Sequence, residues 1–315
     1  MYADDAGNMF EARAKLQAGL VKIHSHFARF GLTMHVGRDL ANGGADSKTE
    51  AMYVPPAGGA YEDVDTSPLA VDGGLVPFCK LFKYLGAHLH YTMSCVQDVR
   101  LRITKASNAF GALRDTVFCA KNISMRVKAK VYKTLVLSIL LYGSECWALR
   151  AKEQLDLERF HRRCIRTMCN VTRACQKRHR ITSLKLESQL QLESMRHLLS
   201  VRALRWFGHL VRMDRGRLPR KMLFGWVNHA RRSGGQSLTF GRRIKREVLS
   251  MLKRDIVPAE FRRVLTGTGV QGGVVRGPKP DLMQAVVELA GGERARWRKF
   301  IHSGARFRPQ TAGGT

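Results

Sequence analysis

Tyr2-Ala3-Asp4-Asp5 is the segment of this chain whose residue types most directly imply chemistry. Two adjacent carboxylates behind an aromatic, carried at the tip of a strand–turn–strand, offer hard oxygen ligands to Mg²⁺. Two such ions clamp the attacking and leaving oxygens of a phosphoryl transfer. A site of that kind also draws a third carboxylate from an earlier strand, and no strand precedes Tyr2 in this chain. An Asp-Asp pair has an ordinary use as well, because Asp side chains hydrogen-bond their own backbone in turns. The pair gains meaning only from the elements that would position it and from the charge around it.

The charge is the second signal. The 315 residues carry a formal +29, unevenly spread. Residues 1–80 hold 7 Lys/Arg against 10 Asp/Glu, a net −3, whereas the rest hold 47 against 15, a net +32. A mildly acidic head on a strongly basic body fits a metal-bearing site beside a polyanion-binding surface. An anionic membrane surface is the competing partner for such a charge. A hydrophobic content of 44% excludes a wholly disordered chain. The longest apolar run, residues 135–142, is broken by Ser138 and falls far short of the roughly 20 residues of a membrane span. No charged-then-apolar leader opens the chain. The seven cysteines are odd in number and form no CxxC, so a reduced, intracellular setting is expected, with the nucleus as the expected compartment of an expressed chain.

The elements read as α+β at the start and mostly α thereafter. Residues 11–30 show a helical stripe of Leu16, Leu20, Ile23, Phe27 and Phe30, closed by Gly31. Thr33-Met34-His35-Val36 and Ala51-Met52-Tyr53-Val54 read as short strands around a Gly/Asn/Asp-rich loop. Residues 57–77 read as a polar loop, and 78–89 as a hairpin turning near Gly86. Helices are expected from Ser94 onward, over 124–142 (closed by Gly143), over 152–169, and over 182–213 with a break near Gly208. Weaker helical patterns follow at 241–254 and 281–302, separated by a Gly-rich linker, 266–280.

Taken in order, these segments resemble the C-terminal half of the reverse transcriptase of non-LTR (LINE-type) retrotransposons. The Tyr2-Ala3-Asp4-Asp5 box comes first. Phe30-Gly31-Leu32 and Ser47-Lys48-Thr49-Glu50 follow, then the primer-grip-like Phe82-Lys83-Tyr84-Leu85-Gly86. The thumb-like part holds Leu140-Leu141-Tyr142-Gly143-Ser144-Glu145-Cys146-Trp147, Phe160-His161-Arg162-Arg163-Cys164-Ile165-Arg166 and Arg205-Trp206-Phe207-Gly208-His209. Arg294 with Trp297-Arg298 fits the family's C-terminal pattern. The resemblance implies a partial palm (1–92), a helical thumb (93–215) and a basic helical or irregular tail (216–315). It implies RNA-directed DNA synthesis with Mg²⁺ on Asp4 and Asp5 and an RNA or DNA template-primer as partner. The family's fingers, the earlier palm Asp and an endonuclease domain are not found in this chain. The isolated chain is therefore expected to be inactive, with the missing N-terminal half as a further partner. The alternative is a non-catalytic, basic nucleic-acid-binding protein derived from a retroelement.

Within the resemblance, Lys48 would neutralise charge on a leaving pyrophosphate, with a solvated turn lysine as the equal alternative. Lys83, Tyr84 and Gly86 would hold a primer end. Arg100, Arg102 and Lys105, and Arg159, Arg162, Arg163 and Arg166, form basic helix faces suited to phosphates. Cys164, Cys169, Cys175 and His179 have the spacing C-x4-C-x5-C-x3-H, but zinc is not expected, since knuckles use a tighter first pair and Cys164 fits an apolar face. Gly267-x-Gly269-x-x-Gly272 lacks a preceding strand and is interrupted by Pro278 and Pro280, so it is no dinucleotide site.

Overall fold

The turn residues Asp72-Gly73 and Leu85-Gly86 organise the first unit of the chain. The computed structural model describes residues 6–37, 47–56, 59–225, 239–253, 257–266 and 281–303. These divide into two compact units, one up to Asp98 and one from Val99 onward. The described residues are 61% helix and 7% strand, so the class is mostly α, and strand is confined to two small two-stranded antiparallel sheets.

In the first unit, helix α1 (Arg13–Ala28) packs on strand β1 (Leu69–Val71). Leu20 shares a small core with Val36, Ala51, Leu69, Val71 and Val76. The helix ends as its glycine implies. Gly31 has φ +72°, and the Leu32 N–H donates to the Phe27 carbonyl at 3.0 Å.

Strands β1 and β2 (Gly74–Val76) pair antiparallel with Leu69 opposite Val76. Asp72 (φ 49°) and Gly73 (φ 69°) connect them in the two-residue, positive-φ geometry that Asp-Gly favours. The stretch expected as an unstructured polar loop thus contains a hairpin, driven by that turn and by the inward alternation of Leu69, Val71 and Val76.

The two expected strands at 33–36 and 51–54 do not form. Each is reduced to a single bridge, Gly37 with Leu75 and Ala51 with Phe78. Pro77 has no N–H to give His35 at the next rung of the first ladder, and Pro55-Pro56 ends the second. The hairpin β3 (Leu81–Tyr84) and β4 (Ala87–His90) does form, turning at Leu85 and Gly86. It is pinned to the start of helix α2 (Val96–Ala112), because Asp98 Oδ1 accepts from the His88 backbone N–H at 3.2 Å and sits 3.1 Å from His88 Nδ1.

The second unit is helical. After α2 comes a π turn, Arg114–Phe118, then α3 (Met125–Val131), N-capped by Ser124 Oγ. A second π turn, Tyr132–Val136, leads into α4 (Leu137–Leu140). Gly143, at φ +72°, reverses the chain into the 3₁₀ turn Ser144–Cys146. Helices α5 (Ala151–Met168), α6 (Arg173–Arg178), α7 (Ser183–Gln189) and α8 (Met195–Arg212) follow.

The expected long helix 182–213 is therefore two helices, and its break is not at Gly208. It lies at 190–194, where Ser194 Oγ accepts from the His197 N–H to start α8. Gly208 sits inside α8 for a packing reason: a Cβ there would overlap the indole of Trp297. That indole donates to the Leu204 carbonyl at 3.1 Å.

The stretch after 216 was expected as a tail, yet its described helices build a core. Helices α9 (Leu218–Phe224), α10 (Phe240–Lys253), α11 (Ala259–Thr266), α12 (Leu282–Gly291) and α13 (Arg294–Ser303) follow α8. Of these, α10 to α13 bury Ile244, Val248, Phe261, Val286, Trp297 and Phe300 with Leu204, Phe207 and Val211 of α8. Among the described residues no helix is long and apolar enough to cross a membrane.

Arg243 of α10 is only 3% exposed. Its Nη1 donates to the carbonyls of Ser144 (3.2 Å) and Trp147, and its Nη2 to that of Leu199 (3.0 Å). One guanidinium thus satisfies the backbone acceptors of the turn after α4 and ties them to α8. Arg243→Met, which keeps the bulk and removes the donors, should destabilise the protein by roughly 3–5 kcal/mol in chemical denaturation. Gly208→Ala should cost about 1–3 kcal/mol by overpacking against Trp297, read as a lowered melting temperature.

Candidate functional site

Helix α5 forms because Leu157, Phe160, Cys164, Ile165 and Met168 recur at helical spacing on one buried face. Glu153 closes its N-terminus by accepting from the Arg150 N–H at 2.9 Å. The outward face carries Arg159, Arg162, Arg163 and Arg166. At the far end Asn170 takes φ 53°, and the Val171 N–H returns to the Arg166 carbonyl at 2.9 Å. Thr172 Oγ1 then caps the next helix through the Cys175 N–H at 3.1 Å. The reversal folds α6 back so that Arg173 and Lys177 stand beside Arg166. Together with Gln176 and Ile181 they line an open groove of about 410 Å³.

The electrostatics of this groove are unbalanced. Arg166 is held below its ordinary value, first by partial burial and then by the charges of Arg173, Arg162 and Arg163. Arg162 has a partner in Glu158 at 3.1 Å, and Arg159 in Asp156 at 3.3 Å. Arg163 reaches Ser107 Oγ at 3.4 Å and lies over the Phe160 ring at 5.4 Å. Among the described residues no carboxylate forms an ion pair with Arg166, Arg173 or Lys177. Guanidinium forks in an open, unneutralised groove match phosphate oxygens in charge and geometry.

The other expected site residues are distributed as follows. Arg100 and Lys105 are exposed on α2. Arg102 leaves the basic face, for it is 6% exposed and its guanidinium packs over the Tyr142 ring at 4.4 Å. That is a correction: the helix needs Arg102 as packing, and it offers no surface contact to a phosphate. In the first unit Lys83 is exposed, Tyr84 is half-buried and stacked on Phe82, and Gly86 occupies the hairpin turn. Lys48 is exposed, and its backbone N–H donates to His35 Nδ1 at 3.2 Å. Asp4 and Asp5, with the Mg²⁺ expected on them, lie outside the described residues, as does the Gly267-to-Gly272 stretch. Among the described residues no group of three or more His, Cys, Asp or Glu side chains gathers to hold a metal ion. Cys164 is buried, and burial pushes its thiol up to about 12.

Arg173 and Lys177 were not singled out from the sequence. Their signal was the cap at Thr172 after Asn170, which marks a reversal rather than a continuing loop.

A second cavity, about 340 Å³, is lined by Glu158, His161, Arg162, Glu187 and Arg196, among others. Glu187 is raised above its ordinary value, mainly by burial. His161 is no free base, because both ring nitrogens are engaged. Nδ1 lies 2.9 Å from Tyr132 Oη, and Nε2 lies 3.1 Å from the Glu193 carbonyl. The carbonyl can only accept, so Nε2 carries the proton and Nδ1 accepts from the tyrosine.

No family model, curated protein or solved structure matches this chain.

Burial holds the His161 imidazole down to about 4. The unfolded chain takes this proton near the ordinary histidine value, and the folded chain resists it until about pH 4. Stability should therefore be intact at pH 7 and decline as the pH falls from about 6.5 to 4, by up to roughly 3 kcal/mol from this one group. Urea melts across that range should show the decline, and His161→Gln should flatten it relative to the unaltered chain.

Proposed function

We propose that the helical unit binds nucleic acid, and that the chain is the late-palm, thumb and tail part of an RNA-directed DNA polymerase of the LINE type. The observation that carries the binding reading is the α5–α6 groove. There a partly buried arginine is crowded by three others, and no carboxylate pairs with Arg166, Arg173 or Lys177 among the described residues. Proteins do not gather unpaired guanidinium groups without cost, and a phosphate backbone removes that cost on binding. The net +32 beyond residue 80 supports the same partner.

The polymerase part of the proposal draws on the residues of the resemblance. Leu140 to Trp147, its most specific segment, is built into the core by Leu140, Leu141, Ser144 and Trp147. In a complete enzyme Asp4 would ligate metal, Asp5 would support the metal pair, and Lys48 would face the leaving pyrophosphate. For the chain as it stands, binding is the activity proposed, with a template-primer duplex as ligand.

Fluorescence anisotropy with a labelled RNA–DNA duplex, titrated with salt, tests this. Binding should weaken steeply with salt and survive Asp4→Ala/Asp5→Ala. Arg166→Ala/Arg173→Ala should reduce the slope of log K against log salt by about 2. An unchanged slope in that variant would remove the groove from the interface. Stronger binding to phosphatidylserine vesicles than to duplex would replace nucleic acid with a membrane surface. Mg²⁺-dependent primer extension by the pure chain would establish catalysis where only binding is proposed.

A further inference from the structure

The seam between α8 and α13 carries a second cationic array, distinct from the α5–α6 groove. Trp297 packs on Gly208 at its centre and donates to the Leu204 carbonyl, so the two helices lie close. On α8, Arg205, His209 and Arg212 follow at i, i+4 and i+7, which places them on one face. On α13, Arg294, Arg298 and His302 follow at i, i+4 and i+8. The contacts between the two rows run in opposite directions along the chain. Arg205 Nη2 lies 2.9 Å from His302 Nε2 at one end. At the other end Arg212 is held below its ordinary value by partial burial and then by Arg294 and Arg298. The helices are therefore antiparallel, and across their seam Arg205 faces His302 while Arg212 faces Arg294 and Arg298.

Among the described residues, no carboxylate forms an ion pair with Arg205, Arg212, Arg294 or Arg298. Arg212 Nη1 is fixed on the Ala290 carbonyl at 2.6 Å, a neutral acceptor. Arg205 has only donors, so His302 Nε2 accepts from it. The Trp206 and His209 rings sit 5.4 Å apart on the same helix. Glu193 is near the Arg205 end of α8, but its side chain stands by His197, at 3.8 Å. Arg212, Arg294 and Arg298 are thus held together beside the packed Trp297, against their mutual repulsion.

We infer that the α8–α13 seam is a second phosphate-binding track, which takes the sugar–phosphate backbone of a nucleic-acid strand. The proposal rests on the reading that the helical unit binds nucleic acid. It adds a site of its own, made of residues from two helices far apart in that unit's sequence. Arg205 to Arg212 spans about 10 Å of helix, and a strand offers a phosphate about every 3.4 Å of axis, so the track matches about three phosphates. His209 and Trp206 add ring surface beside it.

The test uses the full chain and labelled RNA–DNA duplex across a salt series. Arg294→Gln/Arg298→Gln alters two exposed side chains and leaves Trp297 in place. It should lower the salt slope by about 2, and adding it to the groove variant should lower the slope by about 4 in all. An Arg294→Gln/Arg298→Gln chain that matches the unaltered one, while the groove variant loses slope, overturns the track and leaves the groove standing. Absence of duplex binding by the unaltered chain overturns the proposed function and the track together. A second readout is thermal. Arg298→Glu would pair with Arg212, so it should raise the melting temperature while weakening duplex binding. A lowered melting temperature would contradict the repulsion on which the track is argued. Binding of phosphatidylserine vesicles that is lost in Arg294→Gln/Arg298→Gln, with duplex binding unchanged, would assign the seam to lipid headgroups and overturn it as a nucleic-acid site.

Discussion

The helical unit depends on a buried guanidinium. Arg243 reaches from α10 into the turn that follows α4 and fills the acceptors of Ser144 and Trp147, while its other nitrogen holds Leu199 in α8. A turn that reverses at a left-handed glycine and is then buried has carbonyls that no water can reach. Each would cost on the order of 1–3 kcal/mol if left without a donor. Arginine suits the task because its fork presents several N–H groups in one plane and stays charged at any ordinary pH. Three segments far apart in sequence are brought to one point by this side chain.

The second buried polar link, from Tyr132 through His161 to the Glu193 carbonyl, works in the same part of the unit. It joins the π turn after α3 to α5 and to the loop that leads into α8. Together with Arg243 it fixes both cationic helices from behind. Helix α5 shows arginines on one side and core on the other, and α8 does the same. The repulsion within each basic row is carried by that packing, so on the proposed reading the charges would already be in place for a nucleic acid. Preorganisation of this kind spares a ligand much of the ordering that flexible lysines on a loop would require.

Much of the helical part was legible in the residues. Apolar positions three and four apart and the glycines at 31 and 143 marked α1, α5 and the helical stretch from α3 to α4 closely. What misled was local pattern without its partner. Gly208 looks like a helix breaker until Trp297, almost ninety residues later in the chain, supplies the reason for it. The β-branched and aromatic runs at 33–36 and 51–54 look like strands, but a strand needs a neighbour with N–H groups to spare, and Pro77 withholds one. Conversely, Asp72-Gly73 was a readable hairpin signal hidden in a polar stretch. For the site, the arginines of α5 were visible as a helix face. Arg102 was placed on a basic face with Arg100 and Lys105 because spacing cannot tell a half-turn toward Tyr142 from a half-turn toward water. The α8–α13 rows were beyond reach, since only the fold sets two distant helices antiparallel.

The Gly208–Trp297 contact also bears on how the chain is made. Helix α8 emerges from the ribosome 93 residues before the tryptophan that takes up Leu204. At roughly 5–20 residues per second, about 5 to 20 s pass with that face of α8 uncovered. Val201, Leu204, Phe207 and Val211 form a long apolar strip during that interval. Synthesis therefore passes through a nascent state in which the future core of the second unit is a sticky, half-finished helix, and its safe completion depends on the last helices arriving in time.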